Sequence, residues 1–230
     1  ARQAAATALA CGDRWELAYA ANLRGDIAFA RGEFATARRH YQDGYGIREE
    51  FGDPEGMAVG LSHLAKVAAQ QHDWLEAERL YERSLAIARD IGDQALTVRA
   101  LNGLGIVASA AGDYAAAAGR FTEGLQLMAA APFMRMLLMV LTSAADWLLQ
   151  TGQPREAVAP LAVALAHPAS DNETRARARR LLEAAAAALP AEVDAAERER
   201  AEGADAVDLA ALVMALLSAP APELSAVAPR

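Results

Sequence analysis

Residues 101–124 read LNGLGIVASAAGDYAAAAGRFTEG, and the order of residue types in this stretch decides the fold. Leu104-Gly105 lies in an apolar run, Gly112-Asp113 interrupts it, and Tyr114, Ala117, Phe121 and Gly124 follow at spacings of three and four. That spacing places the last four on one face of a helix. A glycine can end one helix in the left-handed conformation, and the acid behind it can cap the next. The stretch therefore encodes two helices joined by a tight turn. Shifted back by 40 residues, the order returns: Tyr114 falls on Trp74 and Phe34, Phe121 on Tyr81 and Tyr41, Ala117 on Ala77 and Ala37, and Gly124 on Ser84 and Gly44. The turn recurs as His72-Asp73 and Gly32-Glu33, and a second turn series runs Gly12-Asp13, Gly52-Asp53 and Gly92-Asp93. An interval that preserves rings, small residues and turns together marks a helical repeat array, in which each unit leans on its neighbours for burial.

Working outward from this register predicts an all-α chain with helices over 14–31, 34–51, 54–71, 74–91, 94–111 and 114–129. The layout is residues 1–13 as the end of a truncated preceding repeat, repeats at 14–53, 54–93 and 94–131, and a degenerate repeat at 132–168. In that fourth unit Gly152 and Ala157 keep register with Gly112 and Ala117, and Pro154 stands at the aromatic's place, where the first turn of a helix accepts it. Capping helices are expected over 169–218, at 172–188, 191–202 and 205–217, because the end of an array must cover its open face. Residues 219–230, with Pro220, Pro222 and Pro229, are expected to be a disordered tail. The absence of an initiator methionine and the register of residues 1–11 suggest a piece of a longer protein.

The chain is 54% hydrophobic but only 6% aromatic, so its apolar character comes largely from alanine, which favours closely packed helices over sheets. A net charge of −8 and a pI near 5.1 oppose non-specific attraction to nucleic acid or anionic lipid. Cys11 stands alone and cannot form an internal disulfide, which points to a reducing, cytoplasmic setting. Met136–Leu149 is interrupted by Asp146 and too short to span a bilayer, so no membrane association is expected. No glycine-rich phosphate loop with a following lysine is present.

The ordered pattern Leu-Gly, aromatic, alanine, aromatic, small residue resembles the tetratricopeptide repeat (TPR), whose usual unit is about 34 residues. About six extra residues per unit lengthen the helices by some 9 Å. The resemblance implies a right-handed superhelical solenoid of antiparallel helix pairs, a non-catalytic role, and protein or peptide partners. Small residues at Gly25, Ala65 and Gly105 would admit the paired helix, with Tyr41, Tyr81 and Phe121 filling the seam. Long units with Gly-Asp between them, and the closing stretch Leu189–Leu217, also resemble the C-terminal arrays of bacterial STAND signal-transduction ATPases and MalT-like transcription regulators. That further resemblance implies a sensor for a small-molecule inducer or an inhibitory protein, with ATPase and DNA-binding domains upstream. A purely structural adaptor is the alternative.

In TPR arrays the first helix of each unit lines the concave groove. By that resemblance the wall carries Tyr19, Asn22, Asp26 and Phe29 in unit one, Ser62, His63, Lys66 and Gln70 in unit two, Arg99, Asn102 and Ser109 in unit three, and Asp146 in unit four. The carboxylate-clamp variant is disfavoured: Asp26 would repel a carboxylate, and Gly103 stands where a base is required. His40, His63, His72 and His167 occupy unlike repeat positions, so no metal or other cofactor is expected. The serines show no nucleophile elbow, and Glu76 and Glu78 fall on an outer face. Arg175, Arg177, Arg179 and Arg180 form the one dense basic cluster, with Glu173 and Glu183 at helical spacing beside it, so direct nucleic-acid binding is not expected.

Overall fold

The structure, a computed structural model, describes residues 2–130 and 133–219, with side chains described for 14–128 and 133–219. These residues form eleven α-helices and no strand: α1 (Arg2–Ala30), α2 (Phe34–Glu50), α3 (Pro54–Gln70), α4 (Trp74–Asp90), α5 (Gln94–Ala110), α6 (Tyr114–Ala130), α7 (Met134–Gln150), α8 (Pro154–Ala166), α9 (Asn172–Ala188), α10 (Ala191–Ala201) and α11 (Ala206–Ser218). The chain divides into two compact units, residues 1–104 and 105–230, with the division inside α5. The expected tail falls outside the described residues beyond Ala219.

The helices end where local chemistry ends them. Gly52 takes φ +62°, and its amide donates to Glu49 O at 3.0 Å while Asp53 N donates to Arg48 O at 2.9 Å. This pair of bonds satisfies carbonyls that the last turn would otherwise leave open. The same pair closes α1 at Gly32, α4 at Gly92, α5 at Gly112 and α7 at Gly152. The acid that follows caps the next helix in three turns: Asp73 accepts from Glu76 N at 3.3 Å, Asp93 from Leu96 N at 2.9 Å, and Asp113 from Ala116 N at 2.9 Å. Asp53 instead pairs with Arg48 at 2.8 Å and makes no capping bond.

One expected turn does not form. Helix α1 runs unbroken through Gly12-Asp13, so its start is Arg2 rather than residue 14. Glycine permits the left-handed conformation but does not impose it, and the alanine-rich flank from Ala4 to Ala10 carries the helix across at a cost of about 1 kcal/mol for the glycine.

In the first unit α1 pairs with α2, α2 with α3, and α3 with α4. Ala28, Ala37, Tyr41 and Val67 form one buried cluster, with Phe29, Phe34 and Leu64 packed on it, so α2 is wedged between α1 and α3. The Tyr41 ring lies against Gly25, where a Cβ would have no room. Tyr81 lies in the same way over Gly103, so this ring reaches forward to the next repeat. Trp74 is only half-buried and meets the His72 ring edge-on at 5.3 Å.

In the second unit Phe121 fills the space above Gly105, and Trp147 is buried with its indole N–H donating to Tyr114 O at 3.0 Å. The C-terminal helices cover this unit: α9 packs on α8 and α7, α10 on α8, and α11 on α6 and α7. Asp171 caps α9 by accepting from Thr174 N, and Asp205 caps the apolar α11 by accepting from Val207 N and Asp208 N.

Candidate binding surface

The wall expected from the first helices is joined by contacts between α1, α2 and α3. Tyr41 on α2 donates its hydroxyl to Asp26 on α1 at 2.8 Å and stacks on His63 of α3, ring centroids 4.7 Å apart. Phe29 meets Phe34 edge-on at 5.5 Å and lies under the Lys66 ammonium, 4.6 Å from its ring centroid. Acid, base and rings thus share one surface, with the cation placed over the electron-rich ring face that favours it. Tyr19 and Gln70 are exposed at either end of this stripe.

Three of the expected residues belong to seams rather than to an open wall. Asn22 lies against Gly44 of α2, where a Cβ would collide with its amide oxygen. Ser62 is buried between α3 and α4: Ser84 donates its proton to Ala58 O at 2.8 Å, so Ser62 must be the donor in the 2.9 Å bond between the two hydroxyls. Asn102 is buried on α5, and its Oδ1 has no hydrogen-bond partner among the described residues. The reason is geometric. Position 22, 62 or 102 sits at the border where the groove face of the first helix turns toward its own partner helix. A sequence signal existed: Asn22 is matched with Gly44, and Ser62 with Ser84, at one interval, each pair fitting volume to volume. Arg99 is half-buried, with Nε lacking a partner among the described residues; such a group is costly to leave unmade.

In the second unit Ser109 is buried, and Asp146, partly exposed, is paired within the chain. Arg177 of α9 reaches it at 2.8 Å and donates a second bond to Ser143 Oγ at 3.0 Å. The basic cluster is therefore divided by role: Arg177 fixes α9 to α7, Arg175 donates to the carbonyls of His167 and Pro168 at 3.1 Å, and Arg179 and Arg180 are exposed. A groove of about 450 Å³ beside Trp147, lined by Ala115, Ala118, Thr122 and Leu217, lies between α6, α7 and α11. The sequence did not point to it, because α11 supplies its rim from far along the chain.

Two groups of the first unit have shifted titrations. Burial, and then the bond to Glu49, raise the Tyr45 phenol above its usual range, so it stays a donor at neutral pH. The twofold bond from Arg79 holds the Glu76 carboxyl below the usual carboxylate range. Neither touches the Asp26–Tyr41–His63 chain. No helix among the described residues is long and apolar enough to cross a membrane.

The comparisons with known proteins agree with this geometry. Residues 56–130 match the tetratricopeptide repeat family, a segment that includes α4, α5 and α6 entire. No curated protein sequence matches the chain. Among solved structures, BtubC (BKLC) from P. vanneervenii is similar with a TM-score of 0.58 at 19% identity, covering 100% of this chain and 97% of that one. A kinesin-light-chain-type protein of Podospora anserina, with nearly identical TPR-like repeats, gives a TM-score of 0.53 at 16% identity, covering 89% and 98%. At these identities the likeness concerns the fold, an all-α array of TPR-like helical repeats.

Proposed function

We propose that this chain is a non-catalytic binding module whose ligand lies on the α1–α3 wall, against Asp26, Phe29, His63 and Lys66. The observation that carries this reading is the linked set Asp26–Tyr41–His63 and Phe29–Lys66, which holds both charges and flat rings in fixed positions on rigid helices. A peptide or small organic ligand can stack on the rings and pair with either charge, and prepositioned groups lose little entropy on binding. The finer reading is that the array is the regulatory part of a bacterial signalling ATPase or transcription regulator. Its support is the length of the units, the recurrent Gly-Asp turns and the pattern of residues 189–217. In that setting an inducer or inhibitory protein bound on the wall would shift the relative population of repeat orientations and so act on further domains.

Peptides selected from a phage-displayed library on the purified chain provide the test. Titrated against the wild type and Lys66→Glu, they should lose at least about tenfold in affinity in the variant, about 1.4 kcal/mol. Ligands that bind both proteins equally would remove the site from this wall. Small-molecule titration separates sensor from adaptor: an inducer at about 100 times its Kd should raise stability by about 2.7 kcal/mol, and a pure adaptor would show no such rise with any small ligand.

A further inference from the structure

Helix α11 ends at the rim of the groove in the second unit. Its last turn and cap, residues 217–219, line that groove of about 450 Å³ together with α6 and Trp147. Tyr114, the first residue of α6, and Trp147 stand side by side on its wall, joined by the bond from the indole N–H to Tyr114 O at 3.0 Å. Along α6 the lining carries little bulk, and a Cβ added at Gly119 would meet nothing within 4 Å. A helix about 10 Å across would fill this volume with a single turn, so the groove suits an extended segment better than a helical one. The chain itself delivers such a segment. Ala219 leaves α11 in extended backbone, with φ −71° and ψ 146°. The next residue is Pro220, and a proline favours that conformation in the residue before it.

We propose that this groove is the docking site of the chain's own residues 220–230, bound as an extended segment with Leu224 as its apolar anchor. Place, length and chemistry each support that occupant. The segment begins at the rim, one residue past Ala219. At about 3.1 Å per residue it reaches about 34 Å when extended, whereas α6 from Tyr114 to Gln126 is about 18 Å long. Its sequence, Pro-Ala-Pro-Glu-Leu-Ser-Ala-Val, pairs two prolines with two larger apolar residues, and proline-containing segments dock where aromatic side chains line a groove. Proline also fixes φ before binding, so docking Pro220 and Pro222 costs less entropy than docking freer residues. The tether decides against an outside occupant: a segment joined to the rim is present at an effective concentration on the order of 1 mM, which a free peptide or a second copy must exceed. The groove is thus a self-closed site, entered from outside only by displacing residues 220–230. It lies wholly in the second unit and does not depend on the α1–α3 wall.

The test titrates the full chain into a fluorescein-labelled peptide of residues 219–230 and follows fluorescence anisotropy. At an effective concentration of about 1 mM, a segment whose intrinsic Kd is about 0.1 mM holds the groove about nine-tenths of the time. The peptide should therefore bind the wild type about tenfold more weakly than the Leu224→Asp variant, whose own segment no longer competes. Gly119→Gln, added to the Leu224→Asp chain, fills the groove from α6 and should abolish that binding. With open space around Gly119 and a better helix former in its place, this substitution should not lower the melting temperature. Equal binding by wild type and Leu224→Asp, or no saturation of Leu224→Asp at about 1 mM, would overturn the proposal. So would peptide binding that Gly119→Gln leaves intact, because the peptide would then lie elsewhere. A wild-type dimer that Leu224→Asp turns into a monomer would overturn it as well, because the groove would then hold the segment of a second copy.

Discussion

The wall of the first unit and that of the second start from the same repeat positions and end in opposite states. Position 66 carries Lys66 over the Phe29 ring, with His63 half-exposed beside it. Their counterparts, Asp146 and Ser143, are joined by Arg177 of α9, and Ser143 is 1% exposed. The difference is one of occupancy: in the second unit these positions are engaged by a helix of the same chain. The guanidinium between Ser143 and Asp146 shows one way a basic side chain can be gripped. The first unit keeps its wall uncovered by any such helix among the described residues. The proposed binding surface accordingly lies on the first unit, and its counterpart in the second is filled from within the chain.

The largest effect that sharpens this contrast lies at positions 27 and 147, which share a register. Trp147 is 2% exposed and spends its N–H on Tyr114 O, so Trp147→Ala should cost about 3–5 kcal/mol. Ile27→Ala removes a half-exposed side chain and should cost less than about 1 kcal/mol. Urea denaturation of the two variants measures both. Similar losses would mean that α1 is covered in solution by something the chain itself provides.

Gly25→Ala comes next. A Cβ there enters the Tyr41 ring, which is held between α1 and α3, so the variant should lose about 1–3 kcal/mol through overpacking. It should also displace the phenol from Asp26 and weaken any ligand of the first wall, which a titration would detect. Gly119→Ala, in the second unit with open space around it, should be neutral or stabilising. A comparable effect is expected at one of the two charges and a smaller one at the other. Arg177→Ala strands Asp146 in a partly buried site and should cost about 1–3 kcal/mol, reduced from the fully buried value by the roughly one-quarter exposure of the pair. Lys66→Ala should cost under about 1 kcal/mol while reducing ligand affinity. If Arg177→Ala leaves stability intact and opens a second binding site, the filling of the second wall is regulatory and not structural.

The fold was legible because its turns are local. Glycine plus acid, an aromatic two residues past the glycine, and a small residue three and a second ring seven past the first ring fix each helix from within a few positions, and boundaries from residue 34 to 130 follow from them. Gly12-Asp13 misled because the same dipeptide stays helical when its flanks are strong helix formers. The site was legible only as a stripe. Asp26, Phe29, His63 and Lys66 came from register alone, but a register does not tell a groove residue from one at the seam, and Asn22 and Ser62 fell on the wrong side of that border. Tyr41 was read as filler, although its hydroxyl and ring are what connect Asp26 to His63. Arg177 was out of reach because it lies on α9, beyond the repeat pattern and 31 residues from its partner Asp146.

The smallest effect compares one turn in the two units. His72 takes φ +60°, while its counterparts Gly112 and Gly152 take +81° and +77°. A side chain in this region meets its own carbonyl, a cost of about 1–2 kcal/mol that glycine escapes. Glycine also gives the unfolded chain more freedom, which returns about 0.4–1 kcal/mol against the variant, and the edge-on contact with Trp74 is lost as well. His72→Gly should therefore leave stability unchanged or raise it by up to about 1 kcal/mol, read as a shift of the urea midpoint. A fall of the midpoint would mean that the His72–Trp74 contact outweighs the backbone strain. The first unit's turn would then owe its stability to side chains, where the second unit's turns owe theirs to glycine.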